Sequence, residues 1–471
     1  MRIRSLSATT LVLLTALSAG CGLLKKPDMS RTSGIARLNK PRNPLILLHG
    51  FLGSKLRDAR THRVVWGNMT NVLRGGDTDD LALPLEGFDS ARQEDTLEPY
   101  QIYDKLWGRD FYGEILRSLT TAGGYQIGDI EHPRPGDNAF VFVYDWRRDL
   151  VESAGLLAAA IDRLKLARGR PGERFDLLAH SQGGLIARYY VKYGGVDVID
   201  GEAPRAPTMV GAAHVDKVIL MGTPNRGCLE SLKILHLGVK KVFRPMRPEV
   251  VFTMPAVYQM LPPRGTILFA DTAGGTVDID VYDADAWVRE GWSRFSPEAR
   301  KRLDRRPARS RRGREAINDA VVSREFLARQ LERADRLHRA LDAPAGAAPE
   351  VAYYAFGGDC ANTLKTAIVT RERGRQHVLF DGAKFKDERV AAILAGVLYG
   401  PGDGTVLMQS LLAIPDGKEG TQESSMNFKS AFFVCGSHGV LANDPIFQNN
   451  LLYLLLWNGS GPPGAVLAGA R

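Results

Sequence analysis

Four stretches of the chain are apolar almost without interruption: "PLILLHG" (44–50), "AFVFVYDW" (139–146), "FDLLAHS" (175–181) and "VDKVILMGTP" (215–224). Short runs of this kind suit strands buried on both faces of a parallel sheet. Between them the apolar residues recur at helical spacing. One such pattern lies near Tyr103–Thr121. A second spans 150–169, with Leu156, Ile161, Leu164 and Leu166 on its stripe. A third, "GLIARYYVKY" (184–193), follows the strand that ends at Ser181. Strand alternating with helix predicts an α/β fold whose mostly parallel central sheet carries helices on both faces.

The alternation stops at Gly227 and resumes with "VAYYAFGG" (351–358), "SAFFVCGSH" (430–438) and a last helix, "IFQNNLLYLLLW". Within the interruption, 323–342 reads as one long helix with Phe326, Leu327, Leu331, Ala334, Leu337 and Leu341 on one face, and Glu332 placed to meet Arg336 at i,i+4. The expected division is therefore a core in two parts, 44–226 and 350–458, with a helical cap or lid inserted at 227–349. Residues 459–471, rich in Gly, Ala and Pro, are expected to be a disordered tail, and no internal repeat is present.

The N-terminus changes the picture of where the protein works. Arg2 and Arg4 precede a short apolar run that ends in Ser18-Ala19-Gly20-Cys21. This is the pattern of an export signal, too short and polar for a lasting membrane span. Small residues before a cysteine resemble a bacterial lipobox, although Ser18 stands where Leu, Val or Ile is usual. The expectation is a signal peptide at 1–20, a lipidated Cys21 with a polar tether to residue 43, and a place on the bacterial cell envelope, lipid-anchored at the outer membrane, or else secretion.

Charge adds one local feature. The net charge is +9, and "RKRLDRRPARSRRGR" (300–314) holds nine Lys/Arg against one Asp. The rest of the chain is near neutral, so a nucleic-acid partner is not expected. The run reads as a solvated loop or as an attachment to anionic lipid headgroups. Four cysteines, Cys21, Cys228, Cys360 and Cys435, include no C-x-x-C, and no H-E-x-x-H occurs, so no metal or cofactor is expected. Apart from Cys21 they allow at most one disulfide, and spacing does not choose the pair. A monomer is expected.

The chemistry centres on "LLAHSQGGLIARYY". An apolar strand, Ser181, Gly183-Gly184 and then a helix is the context of a nucleophile elbow, whose sharp turn needs small neighbours. Ala179 stands where glycine is usual, and a methyl is the least added bulk. The alternative is a glycine-rich turn without catalysis. A serine nucleophile needs a base and an orienting carboxylate, here in the order Ser, Asp/Glu, His. His438, at the end of the last strand run, fits the base. His49 and His180 precede the acid and are read as loop-orienting, and His377 as part of a hairpin. Asp359 after a strand and Asp403 in "YGPGDGTV" are both candidates for the acid, with the tighter loop modestly favouring Asp403. Oxyanion N–H groups are expected from Gln182 and from Phe51 in "LLHGFLGSKL".

Taken together, these segments resemble the lecithin:cholesterol acyltransferase family, in its bacterial, lipase- or phospholipase-like form. "PLILLHGFLGSKL", "VYDWRRDL", "LLAHSQGGLIARYY", "VILMGTPNRG", "MPAVYQMLPP", "GDGTVLMQS" and "GSHGVL" occur in the family's order between Pro44 and Trp457. His49 stands where eukaryotic members carry proline, and the arginine-rich run matches nothing in the family. The resemblance implies an α/β-hydrolase fold, Ser181, Asp403 and His438 as nucleophile, acid and base, and an oxyanion hole at Phe51 and Gln182. It also implies acyl transfer from a lipid ester to water or an alcohol. A carboxylesterase or polyester depolymerase with the same triad is the alternative, and a non-catalytic lipid-binding envelope protein is a third reading.

Overall fold

The computed structural model describes residues 43–67, 78–85, 95–103, 105–106, 109–201, 206–240, 245–304, 320–345, 349–372, 375–381, 394–415 and 424–456. The export signal, Cys21, the tether before Asn43, residues 305–314 of the arginine-rich run and the 459–471 tail lie outside them.

The uninterrupted apolar runs form the centre of a seven-stranded sheet. Its strands are β1 (Leu45–Leu48), β2 (Ile127–Gly128), β3 (Ala139–Phe142), β4 (Phe175–His180), β5 (Val215–Met221), β6 (Ala352–Gly358) and β7 (Phe428–Val434). They lie in the order β7-β6-β5-β4-β1-β3-β2, and every pairing is parallel. β1 and β4 are buried at every position, as central strands covered on both faces must be.

Helices cover both faces. On one lie α1 (Gly113–Thr121) and α5 (Pro445–Leu456); on the other lie α2 (Leu150–Ala167) and α3 (Gln182–Tyr193). The α1 pattern was expected to start near Tyr103. It starts at Gly113, where the Asp110 side chain accepts the Glu114 N–H at 2.9 Å. α2 is capped by Asp149, which accepts the Val151 N–H. Its buried stripe is Leu150, Val151, Ala154, Leu157, Ala160, Ile161 and Leu164, whereas Leu156 is 52% and Leu166 84% exposed. The expected stripe was thus correct at Ile161 and Leu164 and displaced at its other two members, because the alanines complete the buried face.

The long helix α4 (Ala320–Asp342) buries all six residues expected on its face, and Glu332 pairs with Arg336. Its C-terminal turn is held by α3. The Tyr193 hydroxyl donates to the Ala340 carbonyl, Arg188 to that of Leu341, and Lys192 to those of Leu341 and Ala343. Cations on the last carbonyls of a helix satisfy its open acceptors and oppose its dipole. Farther back, Arg333 bridges Asp149 and Asp197. α4 is therefore fixed to the helix that follows the nucleophile candidate.

Many of the described residues of 227–349 pack in a second apolar cluster around Phe252, Tyr258, Trp287, Trp292 and the α4 residue Phe326. That cluster is not continuous in sequence. A four-stranded sheet joins Phe269–Ala270 and Thr276–Val277 to the hairpin Ala367–Glu372/Arg375–Leu379, which carries His377. Leu56, Leu81, Leu85 and Trp146 enter the same cluster from the other side. Fully buried Arg147 binds these parts together, donating to Asp145, Asp95 and the Leu81 carbonyl.

Candidate active site

Every candidate side chain lies where the parallel strands end, the position that favours sites in open α/β sheets. Ser181 follows β4 with φ 54° and ψ −124°, a left-handed conformation strained for a residue with a Cβ. The strain is held from both sides. The Ser181 N–H donates to the Met221 carbonyl at 2.8 Å, and its carbonyl accepts the Gly184 N–H at 2.9 Å. The close packing explains the glycines. A Cβ on Gly183 would stand 2.6 Å from the His49 carbonyl, and one on Gly184 would stand 2.0 Å from the Thr223 hydroxyl.

The structure brings the three expected residues together. His438 Nε2 is 2.9 Å from Ser181 Oγ, and His438 Nδ1 is 2.7 Å from Asp403 Oδ2. Asp403 Oδ1 accepts the N–H groups of Thr405 and Val406, and the His438 N–H donates to the Asp403 carbonyl at 2.9 Å. Burial alone would raise the Asp403 carboxyl. The His438 ring and the two backbone donors outweigh burial and hold it below the ordinary carboxylate value. Asp359, the other candidate acid, is exposed; Asp403 is 2% exposed and sits in the tight loop.

Phe51 and Gln182 flank the serine. Gly50 packs so closely that a Cβ there would stand 2.8 Å from Ser181 Cβ. Leu52 takes a left-handed φ of 64°, and its carbonyl accepts the Trp66 indole N–H. Among the described residues, neither the Phe51 nor the Gln182 backbone N–H meets an acceptor. Two such donors beside a serine are what a developing oxyanion requires.

His49 and His180 orient loops. The His49 Nδ1–H donates to the Gly50 carbonyl at 2.9 Å, its Nε2 accepts the Tyr144 N–H, and its ring stacks on Tyr144. Burial pushes His49 down to about 4, so it stays neutral near pH 7. Two features escaped the sequence reading. Gly222 (φ +56°) presses against the acid–base pair, and a Cβ there would lie 2.9 Å from Asp403 Oδ2 and 3.0 Å from His438 Nδ1. The signal was the glycine of "MGTP" directly after a buried strand. The other is a disulfide between Cys360 and Cys435, which ties the end of β6 to the loop three residues before His438, leaving Cys228 as a buried thiol. Among the described residues no cluster of His, Cys, Asp or Glu could hold a metal, and no helix is long and apolar enough to cross a membrane.

A parallel sheet sandwiched by helices, with a strained serine at the elbow after a central strand, defines the α/β-hydrolase fold. Within that class, residues 127–300 match the family model for lecithin:cholesterol acyltransferase, and over this stretch the family resemblance is shown. The match includes Ser181 and Gln182 and ends before Asp403 and His438. A chain of the crystal structure of the Tle4–Tli4 complex shares the fold at TM-score 0.51 and 14% identity, covering 88% of this chain and 98% of that one. EstA from Clostridium botulinum aligns at TM-score 0.35 and 11% identity, over 89% of this chain and 88% of that one. In sequence, the chain is 23% identical over 271 residues to the uncharacterized protein YJR098C of Saccharomyces cerevisiae. That match takes in 56% of this chain and spans only 36% of the yeast protein's length.

Proposed function

We propose that the protein is a serine acyl-ester hydrolase or O-acyltransferase acting on lipid esters. The observation that carries this reading is the continuous hydrogen-bonded line Asp403–His438–Ser181, ending at a strained serine beside two open N–H donors. Ser181 Oγ–H donates to His438 Nε2, so Nδ1–H faces the ionised Asp403. On attack, Oγ bonds to the ester carbonyl carbon and His438 takes the proton. The carbonyl oxygen becomes an oxyanion held by the Phe51 and Gln182 N–H groups. Collapse breaks the ester C–O bond, His438 protonates the departing alcohol, and an acyl-serine remains. Water or a second alcohol, deprotonated by His438, then takes the acyl group.

A lipid donor is supported by the surroundings of the serine. Aromatic rings run in contact from Phe51 through Trp146, Trp66 and Tyr103 to Phe111, which packs against Gly439 next to His438. The arc reaches from the oxyanion side to the base side, and its half-buried members Phe51, Trp66 and Phe111 offer an acyl chain apolar contact. An envelope location, by lipidated Cys21 or by secretion, remains part of the proposal. The exposed Cys360–Cys435 disulfide supports it, since such bonds persist in oxidising compartments.

The test is to incubate the full chain with phospholipid vesicles and a set of alcohols, Ser181→Ala alongside, and to identify products by mass spectrometry. Free fatty acid alone indicates hydrolysis, and new acyl esters indicate transfer. No product above the Ser181→Ala level, together with no labelling of Ser181 by a fluorophosphonate, would overturn the proposal.

A further inference from the structure

The peptide of His438 is gripped on both sides. Its N–H donates to the Asp403 carbonyl, and its carbonyl lies 3.2 Å from His180 Nε2. A carbonyl only accepts, so His180 carries its proton on Nε2 and presents a lone pair at Nδ1. The Tyr112 hydroxyl, 2.6 Å from Nδ1, must then donate to it. The same hydroxyl accepts the Gly50 N–H at 2.9 Å. All three bonds run in one direction: Gly50 N–H to Tyr112, Tyr112 O–H to His180, His180 N–H to the His438 carbonyl.

Resting on the acyl-transfer reading above, we infer that Tyr112 and His180 are positioning residues that lock the oxyanion loop and the base loop into one register. Tyr112 fixes the peptide entering Gly50. The peptide leaving it, which carries the Phe51 N–H, is held at the Gly50 carbonyl by His49 Nδ1–H and the Gly53 N–H, so together they set the direction of the Phe51 N–H. The far end of the relay fixes the backbone from which the His438 ring reaches Ser181. Tyr112 and His180 are both buried, and their rings meet edge to face. Burial, reinforced by the nearby His438, pushes His180 down to about 3, which keeps the ring neutral and the direction of the relay unchanged across the working range. A relay polarised along its length is stiffer than its separate bonds. The His180 ring also packs against the His438 ring, 4.9 Å between centroids, so it positions the base from its side chain as well as its backbone.

Steady-state kinetics on a soluble ester test this, with Tyr112→Phe, His180→Phe, the double variant and His180→Gln. Each single apolar variant is expected to lower kcat about 10-fold or more with KM within about two-fold, as for loss of alignment without loss of binding. The double variant should be no slower than the slower single variant, since one relay can be broken only once. His180→Gln, whose amide can still donate to the His438 carbonyl, should recover most of kcat. An unchanged kcat in Tyr112→Phe, which removes a single oxygen and leaves the ring packed, would overturn the inference, as would losses that multiply in the double variant. Wild-type protein that neither turns over nor labels with a fluorophosphonate would instead overturn the underlying reading.

Discussion

Replacing Gly222 by alanine tests how tightly the acid–base pair is packed. The residue has φ +56°, so an alanine there bears a left-handed backbone cost of about 1–2 kcal/mol. The added Cβ would also lie 2.9 Å from Asp403 Oδ2, 3.0 Å from His438 Nδ1 and 3.2 Å from His438 Cε1, where ordinary contact begins near 3.4 Å. Asp403 and His438 must therefore give way by a few tenths of an ångström, and the overpacking adds about 1–3 kcal/mol. The atoms that move are those of the 2.7 Å Asp403–His438 bond. Misalignment on this scale should lower kcat by about 10- to 100-fold, below the roughly 10⁴-fold ceiling for disabling the orienting carboxylate. Gly124→Ala is the matched control, because it has φ +71° and nothing within 4 Å of its Cβ. It should lose stability alone. Chromogenic-ester kinetics and urea unfolding on both variants separate the two effects. A folded Gly222→Ala with wild-type kcat, or an equal kcat loss in Gly124→Ala, would refute the reasoning.

The Cys360–Cys435 bridge closes a loop of sequence separation 75, worth up to about 4 kcal/mol by chain entropy. A phosphine reductant should lower the denaturation midpoint and kcat together, and activity surviving full reduction would show that the base loop holds without the bridge. Glu152 is lifted by burial to about 7, Arg148 opposing, and its Oε2 has no hydrogen-bond partner among the described residues. Because the folded carboxyl binds its proton more tightly than the unfolded one, stability should fall as pH rises from about 4.5 to 7, by on the order of 2 kcal/mol. Glu152→Gln should match wild type in urea at pH 5 and exceed it at pH 8; an equal gap at both pH values would contradict this.

What the sequence made legible is what a single element reveals about itself. β1, β3, β4 and β5 announced themselves as unbroken apolar runs, and α4 showed its buried face at 3.6-residue spacing. Ser181 stood out because an elbow is local, and the chain order of Asp403 and His438 narrowed the remainder. What stayed hidden joins distant positions. The hairpin at 367–379 pairs with a strand near residue 269, and nothing in either stretch names the other. Tyr112 meets His180 across a separation of 68, with no motif at Tyr112 to mark it. The three cysteines other than Cys21 allow three pairings, and only the approach of the β6 end to the loop before His438 selects one. On α2, small alanines carried part of the buried face, so counting large apolar residues displaced the stripe.

The clamp between α3 and the end of α4 bears on any attempt to shorten the protein by removing residues 227–349. Trimming the whole 227–349 region would take the carbonyl partners from Lys192 and Tyr193 and leave the buried Arg188 guanidinium held only by Asn225 among the described residues. A minimal version has to retain Ala320–Asp342 as a graft beside the seven-stranded sheet, with excision limited to what lies upstream of it.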